Sequence, residues 1–95
     1  MVYTPLLKTW TVYLTVTAFK QFQKLPQTIQ ELADLAITDL ESSGINPEGW
    51  DVRKTAENEY RLRLGYRYRM RYKISKKHNL KIEVFYIGHR REAYR

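Results

Sequence analysis

The sequence predicts an α+β fold: one strand, two helices, then three antiparallel strands forming a small sheet with the helices on one face. Ninety-five residues suffice for one layer of helix on a sheet and not for two independent cores. A stretch of helical period lies between segments rich in β-branched and aromatic residues. The third sign is "YRLRLGYRYRMRYKI", residues 60–74, where rings and aliphatic side chains alternate with cations at a period of two. No repeat, low-complexity segment or linker divides the chain. Residues 1–95 are therefore read as one domain, with 1–8 as an N-terminal extension.

Residues 9–17, "TWTVYLTVT", alternate Trp10, Val12, Leu14 and Val16 against Thr and Tyr, which predicts the first strand. Thr17 is placed to cap a short helix over 18–24 that buries Phe19 and Phe22 at i, i+3 spacing. Pro26 suits the first position of a second helix, in which Ile29, Leu32, Ala33, Ala36 and Leu40 recur on one stripe until Gly44 stops it. Residues 42–57, with Gly, Pro and Asn at short intervals, predict a loop that pins Trp50 or Val52 to the core. Strands are predicted over 60–64, 67–75 and 80–88. The last, "LKIEVFYIG", is apolar on both faces and so belongs in the sheet interior.

The net charge of +7 is unevenly spread. Residues 1–50 carry three lysines against five carboxylates, whereas 51–95 carry fourteen Lys and Arg against five carboxylates, leaving −2 and +9. That polarity is the footprint of a polyanion partner, nucleic acid foremost, with a solvated basic surface as the plain alternative. The absence of cysteine argues against a disulfide framework or a thiolate metal site and fits a reducing cytoplasm. Neither a signal peptide nor an apolar run long enough to span a membrane is present, which predicts a soluble, cytosolic chain.

Within 60–74, Tyr60, Leu62, Leu64, Tyr68, Met70, Tyr72 and Ile74 share one parity, and Arg61, Arg63, Arg69, Arg71 and Lys73 share the other, with Arg67 near the turn. A three-residue loop over Gly65 to Arg67 sets Leu64 against Tyr68 and Leu62 against Met70. It also sets Arg63 against Arg69 and Arg61 against Arg71. Directly opposed like charges cost about 0.2–1 kcal/mol per pair, and planar guanidinium groups grip phosphate in a bidentate way. These arginines predict a polyanion-binding face. Most tyrosines fall on the core parity, which speaks against a base-stacking platform on the sheet surface.

"YRLRLG", then "YRMRY", then a hydrophobic strand and "GHRREAY" together resemble the RelE branch of the RelE/ParE toxin superfamily, small mRNA interferases of type II toxin–antitoxin modules. The likeness is strong over 60–94 and compatible over 10–40. It implies a RelE-like fold in which the two helices are antiparallel. It further implies that Arg61 and Arg63 hold the RNA backbone, that Arg69 contacts the scissile phosphate, that Arg90 stabilises the phosphoryl group, and that Tyr94 is the general base or a base-stacking residue. Arg69, Arg90 and Tyr94 are thus the catalytic set, and Arg61, Arg63, Arg67, Arg71, Lys73, His89 and Arg91 the phosphate-binding set. One extra residue separates Gly65 from "YRMRY" relative to the family pattern, so Arg67 and Arg71 are the alternatives to Arg69. His89 is also read as a strand-end histidine bonded to backbone, and His78 as a solvated turn residue.

The implied chemistry is metal-independent RNA cleavage by the substrate's own 2′-hydroxyl, with no cofactor, a cognate antitoxin as partner and mRNA on the ribosome as substrate. A phenol titrates near ~10, so Tyr94 as a base requires the surrounding cations to lower that value. Two other readings compete. One is a ParE-like inhibitor of DNA gyrase, for which Arg69, Arg90 and Tyr94 would be dispensable. The other is a non-catalytic RNA-binding module whose affinity falls steeply with salt.

Overall fold

In the computed structural model, which describes residues 9–75 and 80–91, Thr15 both closes the first strand and opens the first helix. β1 (Thr11–Leu14) ends there because Thr15 Oγ1 accepts the Ala18 N–H at 3.1 Å, satisfying a donor that the first turn of α1 (Val16–Gln23) leaves without an intrahelical partner. The cap is Thr15 rather than Thr17, and the shift re-aims the helix. Ala18 is buried and Phe22 packs on the core, whereas Phe19, expected beside it, is 51% exposed. Pro26 occupies the N-cap of α2 (Gln27–Ser43), one place ahead of its predicted position. Gly44 ends α2 as expected, its N–H donating to Leu40 O at 2.9 Å. Ala33, Ala36 and Leu40 are fully buried, with Ile29 and Leu32 packed beside them. No helix among the described residues is long and apolar enough to cross a membrane.

β2 (Val52–Ala56), β3 (Glu59–Leu64), β4 (Tyr68–Ile74) and β5 (Lys81–His89) complete a five-stranded sheet in the order β1-β5-β4-β3-β2. β1 runs parallel to β5, and the other neighbours are antiparallel. β2 corrects the loop predicted over 42–57. As an edge strand exposed at four of its five positions, it needs no apolar alternation, so "VRKTA" carries none. Asn58, at φ 61°, turns β2 into β3. Trp50 and Val52 both pack against the core, and Trp50 Nε1 donates to Asp39 Oδ2 at 2.8 Å.

The pairing of β3 with β4 follows the predicted register, with Leu64 opposite Tyr68, Leu62 opposite Met70, Arg63 opposite Arg69 and Arg61 opposite Arg71. Gly65, at φ 67°, supplies the left-handed residue that the three-residue loop requires. Leu62, Leu64, Met70 and Tyr72 are fully buried beneath the helices, together with Ile82, Val84 and Ile87 of β5. β5 is interior, as its two-sided apolar character predicts. A bulge opposite Arg71 and Tyr72 leaves Phe85 as the extra residue and flips the parity of β5, so Val84 and Ile87 both reach the core.

Tyr72 sets a pH limit on the fold. Its hydroxyl donates to Ile45 O at 2.6 Å. Burial first, and the adjacent Tyr60 phenol second, push it well above the ordinary phenol range. An unfolded phenol titrates near ~10, so the native state holds this proton more tightly. The stabilisation is complete below about pH 10 and is lost as pH rises beyond it. Tyr72→Phe is expected to lower stability at pH 8 by about 1 kcal/mol and to flatten the alkaline decline in urea melts between pH 8 and 11. An equally steep decline in the variant would assign the alkaline transition to another group.

Candidate nucleic-acid interface

The helices cover one face of the sheet, and the cations gather on the other. Register places Arg53, Arg61, Arg71 and Tyr86 side by side across β2, β3, β4 and β5. Arg63, Arg69 and Gly88 form the next row toward the hairpin tip. Away from the tip, Glu59, Lys73 and Glu83 alternate in sign, and Lys73 Nζ lies 3.3 Å from Glu83 Oε2. Positive potential therefore concentrates in the two rows nearer the tip. Arg61 and Arg69 are packed rather than solvated, at 8% and 5% exposure.

Asp51, just before β2, faces three of these cations. Its carboxylate lies 3.5 Å from Arg63 Nη1, 3.8 Å from Arg61 Nη2 and 3.9 Å from Arg53 Nε. One carboxylate among three guanidinium groups leaves positive charge in excess, and none of these distances is that of a short charge-assisted hydrogen bond. A phosphate can compete for the same cradle, a concavity of ≈380 Å³ that Lys54 and Thr55 also line. Arg71 lies 3.8 Å from Glu59 Oε1 and 5.1 Å from the centre of the Phe85 ring, so the bulged residue gives it a cation–π support.

At the tip, Arg69 Nη1 donates to the carbonyls of Tyr66 at 3.1 Å and Tyr68 at 2.9 Å, so this arginine braces the loop as well as adding charge. The end of β5 closes on the same loop, with the Arg90 N–H donating to Arg67 O at 2.7 Å. The Arg90 guanidinium stands 4.8 Å from the centre of the Tyr66 ring. His89 meets the Tyr68 ring edge-on at 5.6 Å, and its Nδ1 accepts the Arg91 N–H at 3.2 Å, the backbone-bonded state expected of it. Gly88 makes room for Tyr86. A Cβ there would fall 2.7 Å from the Tyr86 hydroxyl, which donates to His89 O at 2.9 Å.

The structure thus gathers Arg67, His89, Arg90 and Arg91 with Tyr66 around a tip cavity of ≈400 Å³. Arg61 and Arg63 belong to the Asp51 cradle, and Arg71 and Lys73 follow farther along β4, beside Phe85. Tyr94 and His78 lie outside the described residues. Among the described residues, no group of three His, Cys, Asp or Glu side chains could hold a metal ion. Sequence reasoning does not reach Arg53, which falls in the predicted loop, or Tyr66, which sits where strand parity no longer applies. A tyrosine between Gly65 and Arg67 at a hairpin tip was the available signal.

A family model described as the ParE toxin of type II toxin-antitoxin system, parDE, matches residues 12–94. The chain belongs to this family, and it is a type II toxin of the RelE/ParE superfamily. Among solved structures it is similar to the archaeal RelE–RelB complex from Pyrococcus horikoshii, at 26% identity over 90% of this chain and 99% of that one, with a TM-score of 0.71. It is also similar to the RelBE2 toxin–antitoxin complex from Mycobacterium tuberculosis, at 26% identity over 86% of this chain and 99% of that one, with a TM-score of 0.63. The isolated RelE toxin from E. coli shares the fold at 20% identity, 90% coverage of both chains and a TM-score of 0.68. Among curated proteins, no sequence matches the chain.

Proposed function

We propose that this toxin is a metal-independent mRNA endonuclease that acts in the cytoplasm on ribosome-bound messages and is neutralised by a cognate antitoxin. The observation that carries the reading is the cross-strand pairing of Arg61 with Arg71 and of Arg63 with Arg69. Opposed cations across neighbouring strands cost stability, and a polyanion on that face repays the cost. In the reaction, the substrate's 2′-hydroxyl attacks the adjacent phosphorus, the bond to the 5′-oxygen breaks, and a cyclic phosphate and a 5′-hydroxyl remain. Arg61, Arg63 and Arg69 neutralise charge gathering on the phosphoryl oxygens, with Arg90 closing from the end of β5. His89 Nδ1 accepts the Arg91 N–H, which leaves Nε2 to offer phosphate a hydrogen bond. In this reading Tyr94 takes the 2′-hydroxyl proton, the general-base role that the resemblance to the RelE branch implies for it. The RelB chains in the similar complexes support an antitoxin for this chain, which would meet the basic face with acidic side chains.

The test is induction in cells with mapping of 5′-hydroxyl RNA ends on translated messages, beside an Arg90→Ala, Tyr94→Phe variant. New ends within reading frames that vanish in the variant are the expected result. The ParE description of the matching family model favours a second reading, poisoning of DNA gyrase without nuclease chemistry. Growth arrest with intact messages would select it, and no arrest would select a non-catalytic RNA-binding module.

A further inference from the structure

Tyr66 has no place in the core and no place on the sheet surface. It sits at the hairpin tip, 68% exposed, with the Arg90 guanidinium 4.8 Å from its ring centre. A cation held over one face of a ring that stays this exposed leaves the other face open to solvent. The mount is braced. Arg69 bonds the carbonyls of Tyr66 and Tyr68, and the Arg90 N–H bonds the carbonyl of Arg67. A ring on a braced loop loses little conformational freedom when something stacks on it. The cavity beside it, ≈400 Å³, is of the size of small-ligand sites and is lined by Tyr66, Arg67, His89, Arg90 and Arg91, with no carboxylate among these described residues.

We propose that this cavity is a nucleobase pocket, in which an unpaired base of single-stranded RNA stacks on the open face of Tyr66 while Arg67 and Arg91 hold the phosphate beside it. The inference rests on the RNA-substrate reading given above and adds a residue that chooses the nucleotide. An aromatic face accepts any base, and stacking strength grows with ring area, so the pocket favours purines modestly over pyrimidines. Arg90 fixes the Tyr66 ring from behind and reaches phosphate from the same position. One arginine then couples the base pocket to the row of Arg63 and Arg69, and the base seated at the tip determines which phosphate reaches those residues.

The experiment uses the full chain and a 2′-O-methyl oligoribonucleotide, which cannot be cleaved, carrying 2-aminopurine at one position. Quenching of its fluorescence reports stacking. Wild type and Tyr66→Trp are expected to quench. Tyr66→Ala is expected to lose the quench and bind on the order of 10-fold more weakly, with an unchanged slope of affinity against salt because the phosphate contacts remain. Salt-dependent binding with equal affinity and equal quenching in wild type and Tyr66→Ala would overturn the base pocket and leave the RNA reading standing. Failure of the wild-type chain to bind the oligonucleotide at low salt would overturn the base pocket alone, because the RNA reading stands or falls on the 5′-hydroxyl ends mapped on translated messages.

Discussion

Arg61→Met is expected to yield a protein that is more stable and far less active. Arg61 is directly opposite Arg53 on one side and Arg71 on the other, at 8% exposure. Methionine keeps an unbranched stem for packing and removes the charge, so two opposed like-charge pairs, at about 0.2–1 kcal/mol each, and part of a desolvation penalty disappear together. The loss on the other side is the pair with Asp51 at 3.8 Å. It is small because Asp51 retains Arg63 at 3.5 Å and Arg53 at 3.9 Å. The net expectation is a gain of about 0.5–1 kcal/mol in urea denaturation. Activity is expected to fall by about 10²-fold or more, the cost of removing one preorganised charge from a developing oxyanion, read as the yield of in-frame 5′-hydroxyl ends. A variant that loses stability and still cuts messages would make Arg61 a structural residue and remove the main support for a phosphate-binding face.

Much of that face is legible in the sequence, and the reason is local. Between Tyr60 and Ile74 the alternation allows a single burial solution, and Gly65 fixes where the strand turns, so the opposed arginines follow from the sequence. Elsewhere the pattern was silent. β2 is a polar edge strand exposed at four of its five positions, so no apolar alternation marks it or Arg53, the outermost member of the arginine row. The bulge at Phe85 was hidden because a strand apolar on both faces satisfies either parity. Phe19 was misplaced because Thr15 and Thr17 are chemically equivalent caps, and two residues of helix turn a ring from core to solvent. The role of Arg69 as a brace for the Tyr66 and Tyr68 carbonyls depends on where a long side chain ends, which strand period does not specify.

The largest effect on stability is expected at a position with no part in the cationic face. Gly44 closes α2 at φ 88° and ψ −155°, a region of backbone space that is essentially glycine's alone, and the strain of placing alanine there is about 1–3 kcal/mol. A Cβ would also fall 2.8 Å from Trp10 Nε1 and 2.9 Å from Trp10 Cε2. The indole has little room to retreat. It packs against the core, and the backbone N–H groups of Thr9 and Trp10 both donate to Glu41 O, at 3.1 and 2.9 Å, tying the entry of β1 to the last turn of α2. Overpacking adds about 1–3 kcal/mol, so Gly44→Ala is expected to cost about 2–6 kcal/mol in all, a large share of the stability of a domain this size. The urea midpoint should fall by more than about 1 M. The two causes separate in a double-mutant cycle with Trp10→Leu, because the smaller side chain relieves the contact and leaves the backbone strain. If Gly44→Ala costs the same in both backgrounds, the indole is not what excludes the methyl group, and the left-handed turn alone accounts for glycine at the end of α2.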